Sequence, residues 1–148
     1  MRIQATRKTH TIYPFPRSRA LIPFDRSFTA EEFERVKLGV VPHVMEDHWS
    51  IFLENGWLYF VRSWTGFCVY KVRVEQKNDT ARITEAWVSR DSRQYSSTNA
   101  KNDAEMLAMV IENVLLTAKS PLHSHSTILV SLLQMAQRQR GAAVDQVL

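Results

Sequence analysis

Cysteine and glycine are scarce in this 148-residue chain, which has one Cys, Cys68, and four glycines. A single thiol excludes an internal disulfide framework and leaves no second Cys for a thiolate zinc site, which fits a reducing compartment. Four glycines are too few for a typical glycine-rich phosphate cradle. No GxGxxG, Walker, EF-hand, HExxH or GxSxG pattern appears. Long apolar runs are missing too. The best candidate, Met106 to Leu116, is interrupted by Glu112 and Asn113, whereas a spanning helix needs about 20 apolar residues. The charged opening MRIQATRKTH is not followed by an apolar run before Tyr13, as a secretory signal would require. The expectation is a soluble, cytoplasmic protein without membrane contact, and no cofactor or metal is implied.

What is present is an ordinary globular balance, 45% hydrophobic and 23% charged, enough for one core in one domain. The net charge of +4 is unevenly placed. Residues 1–26 carry six Lys/Arg against Asp25 alone, so this segment is +5 and the remainder −1. A basic arm can grip phosphates, but basic termini also serve solubility, and nucleic-acid binding through the arm is not the favoured reading.

The composition divides the chain into a basic, Pro-containing arm (1–27), one α+β domain (28–141) and a fraying tail (142–148). Pro14, Pro16 and Pro23 keep the arm extended. Its apolar residues Tyr13, Phe15, Leu21, Ile22 and Phe24 should lie over the body. Thr29 and Glu32 form a capping box at a helix start, with Phe28 and Phe33 as its staple and Gly39 as its stop.

From His48 to Arg90 the period changes to two. WSIFLE, WLYFVRS, FCVYKVRVE and ARITEAWVSR read as a four-stranded antiparallel meander. Asn55-Gly56 suits a two-residue type I′ turn, which sets Trp49 opposite Arg62 and Ile51 opposite Phe60. A three-residue loop, Trp64-Thr65-Gly66, would then set Arg62 opposite Cys68, Phe60 opposite Tyr70 and Leu58 opposite Val72. Helical periodicity resumes over Met106–Ala118, with Asn102 or Asp103 near its start, and again after Ser120-Pro121 to about Gly141. The implied fold is α+β, a four-stranded antiparallel meander with helices packed on one face.

A meander gathers alternate strand ends, and one end collects His48, Trp49, Arg62, Ser63, Trp64, Thr65, Arg90, Asp91 and Tyr95. Arg62 is the informative member because the register puts it on the apolar face. A guanidinium there either pairs internally, with Asp91, Glu46 or helix-end carbonyls, while stacking on Trp49, or it waits for a carboxylate or phosphate. Ser63 with His48 suggests a nucleophile and base, but without an orienting carboxylate or oxyanion hole. His123 and His125 are two apart and do not share a helical face.

The run WLYFVRSWTGFCVYKV, with SRDSRQY beyond it, resembles a group of small bacterial proteins of unassigned function that carry an RSWTG hairpin and a later Arg-Asp followed by Tyr. The likeness spans about residues 44–118 and leaves the basic arm outside. Where that group often has His before the Arg, this chain has Val61, so no role for such a His carries over. The resemblance implies a shared fold and points to Arg62, Trp64, Thr65, Gly66, Arg90, Asp91 and Tyr95.

The expected function is a binding or adaptor module that recognises a small anionic ligand or a protein partner's acidic group at this end of the sheet. A homo-oligomer is compatible with it. The alternative is a small enzyme, hydrolase or transferase in type, acting on a nucleotide or phosphorylated compound. There Arg62 would stabilise an oxyanion, and His48, Asp91 or Tyr95 would act as acid or base.

Overall fold

The computed structural model describes residues 4–9 and 12–117. The helix expected after Pro121, His123, His125 and the 142–148 tail lie outside the described residues. In chain order the elements are β1 (Arg19–Ile22), β2 (Arg26–Phe28), α1 (Ala30–Leu38), β3 (Trp49–Glu54), β4 (Trp57–Arg62), β5 (Cys68–Lys77), β6 (Thr80–Ser89) and α2 (Ala100–Val110). A π-helical turn over Ile111–Leu115 continues α2.

The fold is α+β with an antiparallel sheet, but the sheet has six strands where the sequence suggested four. Its order is β1-β6-β5-β4-β3, and β2 also pairs with β6. Both additional strands come from the Pro-containing arm. The ten-residue β6 pairs along one side with β5, and its other side needs partners for a row of backbone N–H and C=O groups. β1 covers one half of that side, from Arg19 opposite Ser89 to Ile22 opposite Ala86. β2 covers the other, from Arg26 opposite Ile83 to Phe28 opposite Ala81. Pro23 falls between them, where the ladder asks for no donor.

Asn55 and Gly56 both have positive φ, 51° and 83°, and the β3–β4 register runs as the turn dictates, from Trp49 opposite Arg62 to Glu54 opposite Trp57. In the next hairpin Phe60 faces Tyr70 and Leu58 faces Val72, but a bulge between Phe60 and Val61 sets Cys68 opposite Val61, not Arg62. The loop is one residue longer than expected, Ser63–Gly66. The Arg62 N–H donates to the Phe67 carbonyl at 2.9 Å, and Gly66 takes φ 78°. Thr80 faces Lys77 across a third turn, with Asn78 at φ 59°.

Helix α1 starts at the expected capping box. Thr29 Oγ1 accepts from the Glu32 N–H at 3.1 Å, and Glu32 Oε1 accepts from the Thr29 N–H at 3.0 Å. Gly39 ends it at φ 70°, where a Cβ would come within 2.1 Å of the Ile51 carbonyl oxygen. Helix α2 begins earlier than expected. Asn99 caps it by accepting from the Asn102 N–H at 3.1 Å, which moves Asp103 into the first turn and inward.

Phe33 and Val36 of α1, together with Leu107 and Val110 of α2, pack in one cluster with Ile51, Leu58, Phe60, Tyr70 and Val72 of the sheet. The opposite face carries a smaller cluster, Ala5, Phe52, Val61 and Cys68, with Ile12 and Phe15 of the arm packed against it. Among the described residues no helix is long and apolar enough to cross a membrane.

Candidate functional site

At the end of the sheet where β3 begins and β4 and β6 finish lies a cleft of about 380 Å³, lined by His48, Arg62, Trp64, Thr65, Gln94 and Tyr95. Three segments far apart in sequence supply these residues, and backbone bonds set each in place. The Ser63 N–H donates to the His48 carbonyl at 2.9 Å, extending the β3–β4 pairing by one step beyond Trp49 and Arg62. Asp47 folds the preceding loop by accepting from the N–H groups of His43 (2.8 Å) and Val44 (3.2 Å).

Two side chains then tie that loop to the next. Ser63 Oγ donates to the Asp47 carbonyl at 2.6 Å, and the Trp64 indole N–H donates to the Met45 carbonyl at 2.8 Å. Ser63 is thus a brace between loops, its hydroxyl donating to a carbonyl. Trp64 keeps 67% of its surface exposed, and its ring centroid lies 6.1 Å from that of His48. Thr65 Oγ1 accepts from the Phe67 N–H at 3.2 Å.

Arg62 is exposed. Its guanidinium lies over the buried Trp49 indole, 5.0 Å from the ring centroid. The stack anticipated from the register is present. The internal pairing anticipated beside it is not: among the described residues no carboxylate lies within ion-pair distance of Arg62. Asp91 instead binds Arg93, whose Nη2 stands 2.9 Å from its Oδ2. The Arg93 guanidinium holds the Asp91 carboxyl below its usual range. The Asp91 carbonyl accepts the N–H groups of Gln94 and Tyr95, both at 2.9 Å, and this turn carries those two residues to the cleft.

Arg90 has a different place. Its Nη2 lies 2.7 Å from Oδ2 of Asp103, a charge contact without hydrogen-bond geometry. The Asp103 side chain is fully buried and that of Arg90 is 17% exposed. The Tyr95 hydroxyl donates to Asp103 Oδ1 at 2.9 Å, and the Tyr70 hydroxyl donates to the Asp103 carbonyl, also at 2.9 Å. Burial is the main reason both phenols are pushed above the ordinary tyrosine range, so each stays a neutral donor. Tyr95 therefore belongs to two structures: its hydroxyl holds the buried carboxylate while the residue lines the cleft.

Of the nine residues singled out from the sequence, His48, Arg62, Trp64, Thr65 and Tyr95 line the cleft. Trp49 lies under Arg62, Ser63 braces the loops, and Arg90 and Asp91 pair with other residues. Gln94 was missed. Its side-chain oxygen is buried without a hydrogen-bond partner among the described residues. Nothing in the sequence marks it except adjacency to Tyr95. Among the described residues no three His, Cys, Asp or Glu side chains converge as a metal ion would need.

Cys68 stands on the face opposite Arg62, almost wholly buried, and burial pushes its thiol up to about 12. The bulge thus removes the thiol from the arginine with which a plain register would have paired it. Compared with known proteins, the chain matches no family model, no curated protein and no solved structure.

Proposed function

We propose that the protein is a binding module whose cleft takes the anionic group of a small molecule, or an acidic group of a protein partner, with Arg62 as its anchor. The observation that carries this reading is the guanidinium of Arg62, fixed over Trp49 and without a carboxylate partner among the described residues. Stacking holds the plane of the fork and leaves its N–H edge to an incoming carboxylate or phosphate, the bidentate geometry that arginine suits best. No carboxylate is among the cleft's lining residues, so an anion meets no like charge there. Trp64 offers an exposed indole face at the rim.

The enzymatic alternative has less support. It named His48, Asp91 or Tyr95 as acid or base, and Asp91 is engaged by Arg93 while the Tyr95 hydroxyl is engaged by Asp103. A reducing, cytoplasmic setting goes with the binding proposal, since the lone thiol is buried and has no partner for oxidation to a disulfide.

The test is a thermal-shift screen of the full chain against phosphate, acetate, nucleotides and aromatic carboxylates. A ligand at 100 times its dissociation constant adds about 2.7 kcal/mol of stability, and the same ligand should leave Arg62→Ala unshifted. A ligand that stabilises both proteins equally removes Arg62 from the site, and a screen in which no anion shifts the wild type removes the anion reading.

A further inference from the structure

The sheet face turned away from the helices presents a second chemistry, unrelated to the cleft. Antiparallel pairing aligns Leu21 with Trp87, Trp87 with Lys71, and Lys71 with Tyr59 in one cross-strand row. The adjacent row sets Trp57 opposite Arg73 and Arg73 opposite Glu85. Among the described residues the arm covers one corner of this face: Ala5, Ile12 and Phe15 pack with Phe52, Cys68 and Tyr59, and the Arg7 guanidinium lies over the Phe52 and Tyr59 rings, 5.1 and 5.0 Å from their centroids. The two rows keep Leu21 exposed and the other side chains partly exposed.

The charges of this patch are unbalanced. Glu54 at its edge binds Arg7 at 2.8 Å, and Glu85 accepts the indole N–H of Trp87. Lys71 and Arg73 have no carboxylate partner among the described residues and rest on rings instead. The Lys71 ammonium lies 4.6 Å from the Trp57 centroid and 5.5 Å from that of Tyr59, and the Arg73 guanidinium lies 5.6 Å from the Trp57 centroid. Such exposed cation–ring contacts are weak and exchange readily. A polyanion can draw both cations off the rings toward its phosphates, and the ring faces they leave are then free to take bases.

We infer that this face binds single-stranded nucleic acid, with bases stacked on Trp57 and Trp87 and phosphates held by Lys71 and Arg73. Interleaved aromatic and cationic side chains on an open sheet are what sequence-tolerant single-strand binding uses. Trp57 and Trp87 lie on β4 and β6, two strands apart or about 10 Å across the sheet, with Lys71 and Arg73 on the strand between them. That places a cation beside the backbone linking two splayed bases. An acidic peptide would satisfy the cations equally but would leave the two indole rings without a purpose.

The test is fluorescence anisotropy of a labelled twelve-residue uridine homopolymer with the full chain, titrated with salt, and with poly-glutamate as competitor. Binding is expected, insensitive to poly-glutamate at equal charge, with affinity falling as salt rises. Each phosphate contact contributes about −0.7 to the log–log slope for a single strand. Lys71→Ala with Arg73→Ala should therefore flatten the slope by about 1.4, and Trp87→Leu should weaken binding by about tenfold at unchanged slope. Far-ultraviolet circular dichroism establishes that each variant is folded. The arm variant Lys8→Ala with Arg17→Ala should bind as wild type does. No binding by the wild type, loss confined to the arm variant, or displacement by poly-glutamate as effective as by unlabelled homopolymer would each overturn the inference.

Discussion

Arg62 and Arg90 stand at the same end of one sheet, and they are held in opposite ways. Arg90 reaches the fully buried carboxylate of Asp103, which also accepts the Tyr95 hydroxyl. Arg62 is exposed, lies flat on Trp49, and has no carboxylate beside it among the described residues. A cation matched to a buried anion has become part of the fold. A cation oriented by a ring and left unmatched is available to something else. Residue type and place at the end of a strand do not distinguish the two, Arg62 closing β4 and Arg90 following β6; what differs is whether the tertiary structure brings up an acidic side chain.

The largest test of that contrast removes the buried anion. Asp103→Ala leaves the Arg90 charge with no counter-ion and the Tyr95 hydroxyl with no acceptor. Breaking a buried pair from one side costs about 3–5 kcal/mol, which urea denaturation monitored by tryptophan fluorescence would read. A loss below about 1 kcal/mol, the range of an exposed pair, would mean that Arg90 is no more structural than Arg62.

Next in size is the thiol on the opposite face. Cys68 has a raised folded pKa, about 12 against an ordinary 9.0, so its contribution is complete below pH 9 and is lost as pH rises toward 12. Across that window the wild type should lose about 1.4 kcal/mol per pH unit more than Cys68→Ala does. At pH 8 the folded protein should react with a thiol reagent only on the timescale of unfolding. Rapid labelling would put the thiol next to a cation after all and undo the assignment of the two faces.

The smallest effect is expected at Arg62. Arg62→Ala forfeits one exposed stack, so its stability should remain within about 1 kcal/mol of wild type in the same urea measurement while the anion response disappears. A loss as large as that of Asp103→Ala would erase the comparison, because Arg62 would then be a structural residue as well.

Much of the scaffold was legible because its signals are local. Asn55-Gly56 can take positive φ at both positions, and that alone fixes six cross-strand pairs. Thr29 and Glu32 lie three residues apart and satisfy each other's backbone. The strands Arg19–Ile22 and Arg26–Phe28 were not legible, being four and three residues long with a proline between. They are strands because β6 has an unpaired side. The bulge at Phe60/Val61 was equally hidden, since a one-residue slip leaves Phe60 and Leu58 in place and changes only the face of Cys68. In the cleft, His48, Arg62, Trp64, Thr65 and Tyr95 could be gathered by strand direction alone, whereas Gln94 could not, nor could the buried Asp103 behind Tyr95.

By itself, then, the amino-acid order settled the first hairpin, the first helix and the end of the sheet at which polar residues collect, because turn dihedrals, capping bonds and strand alternation act between residues near in the chain. Which arginine is neutralised and which stays open was decided only when α2 brought Asp103 against Arg90. An ion pair depends on the separation of two charges in space, and residues 90 and 103 acquire theirs only through the packing of helix on sheet.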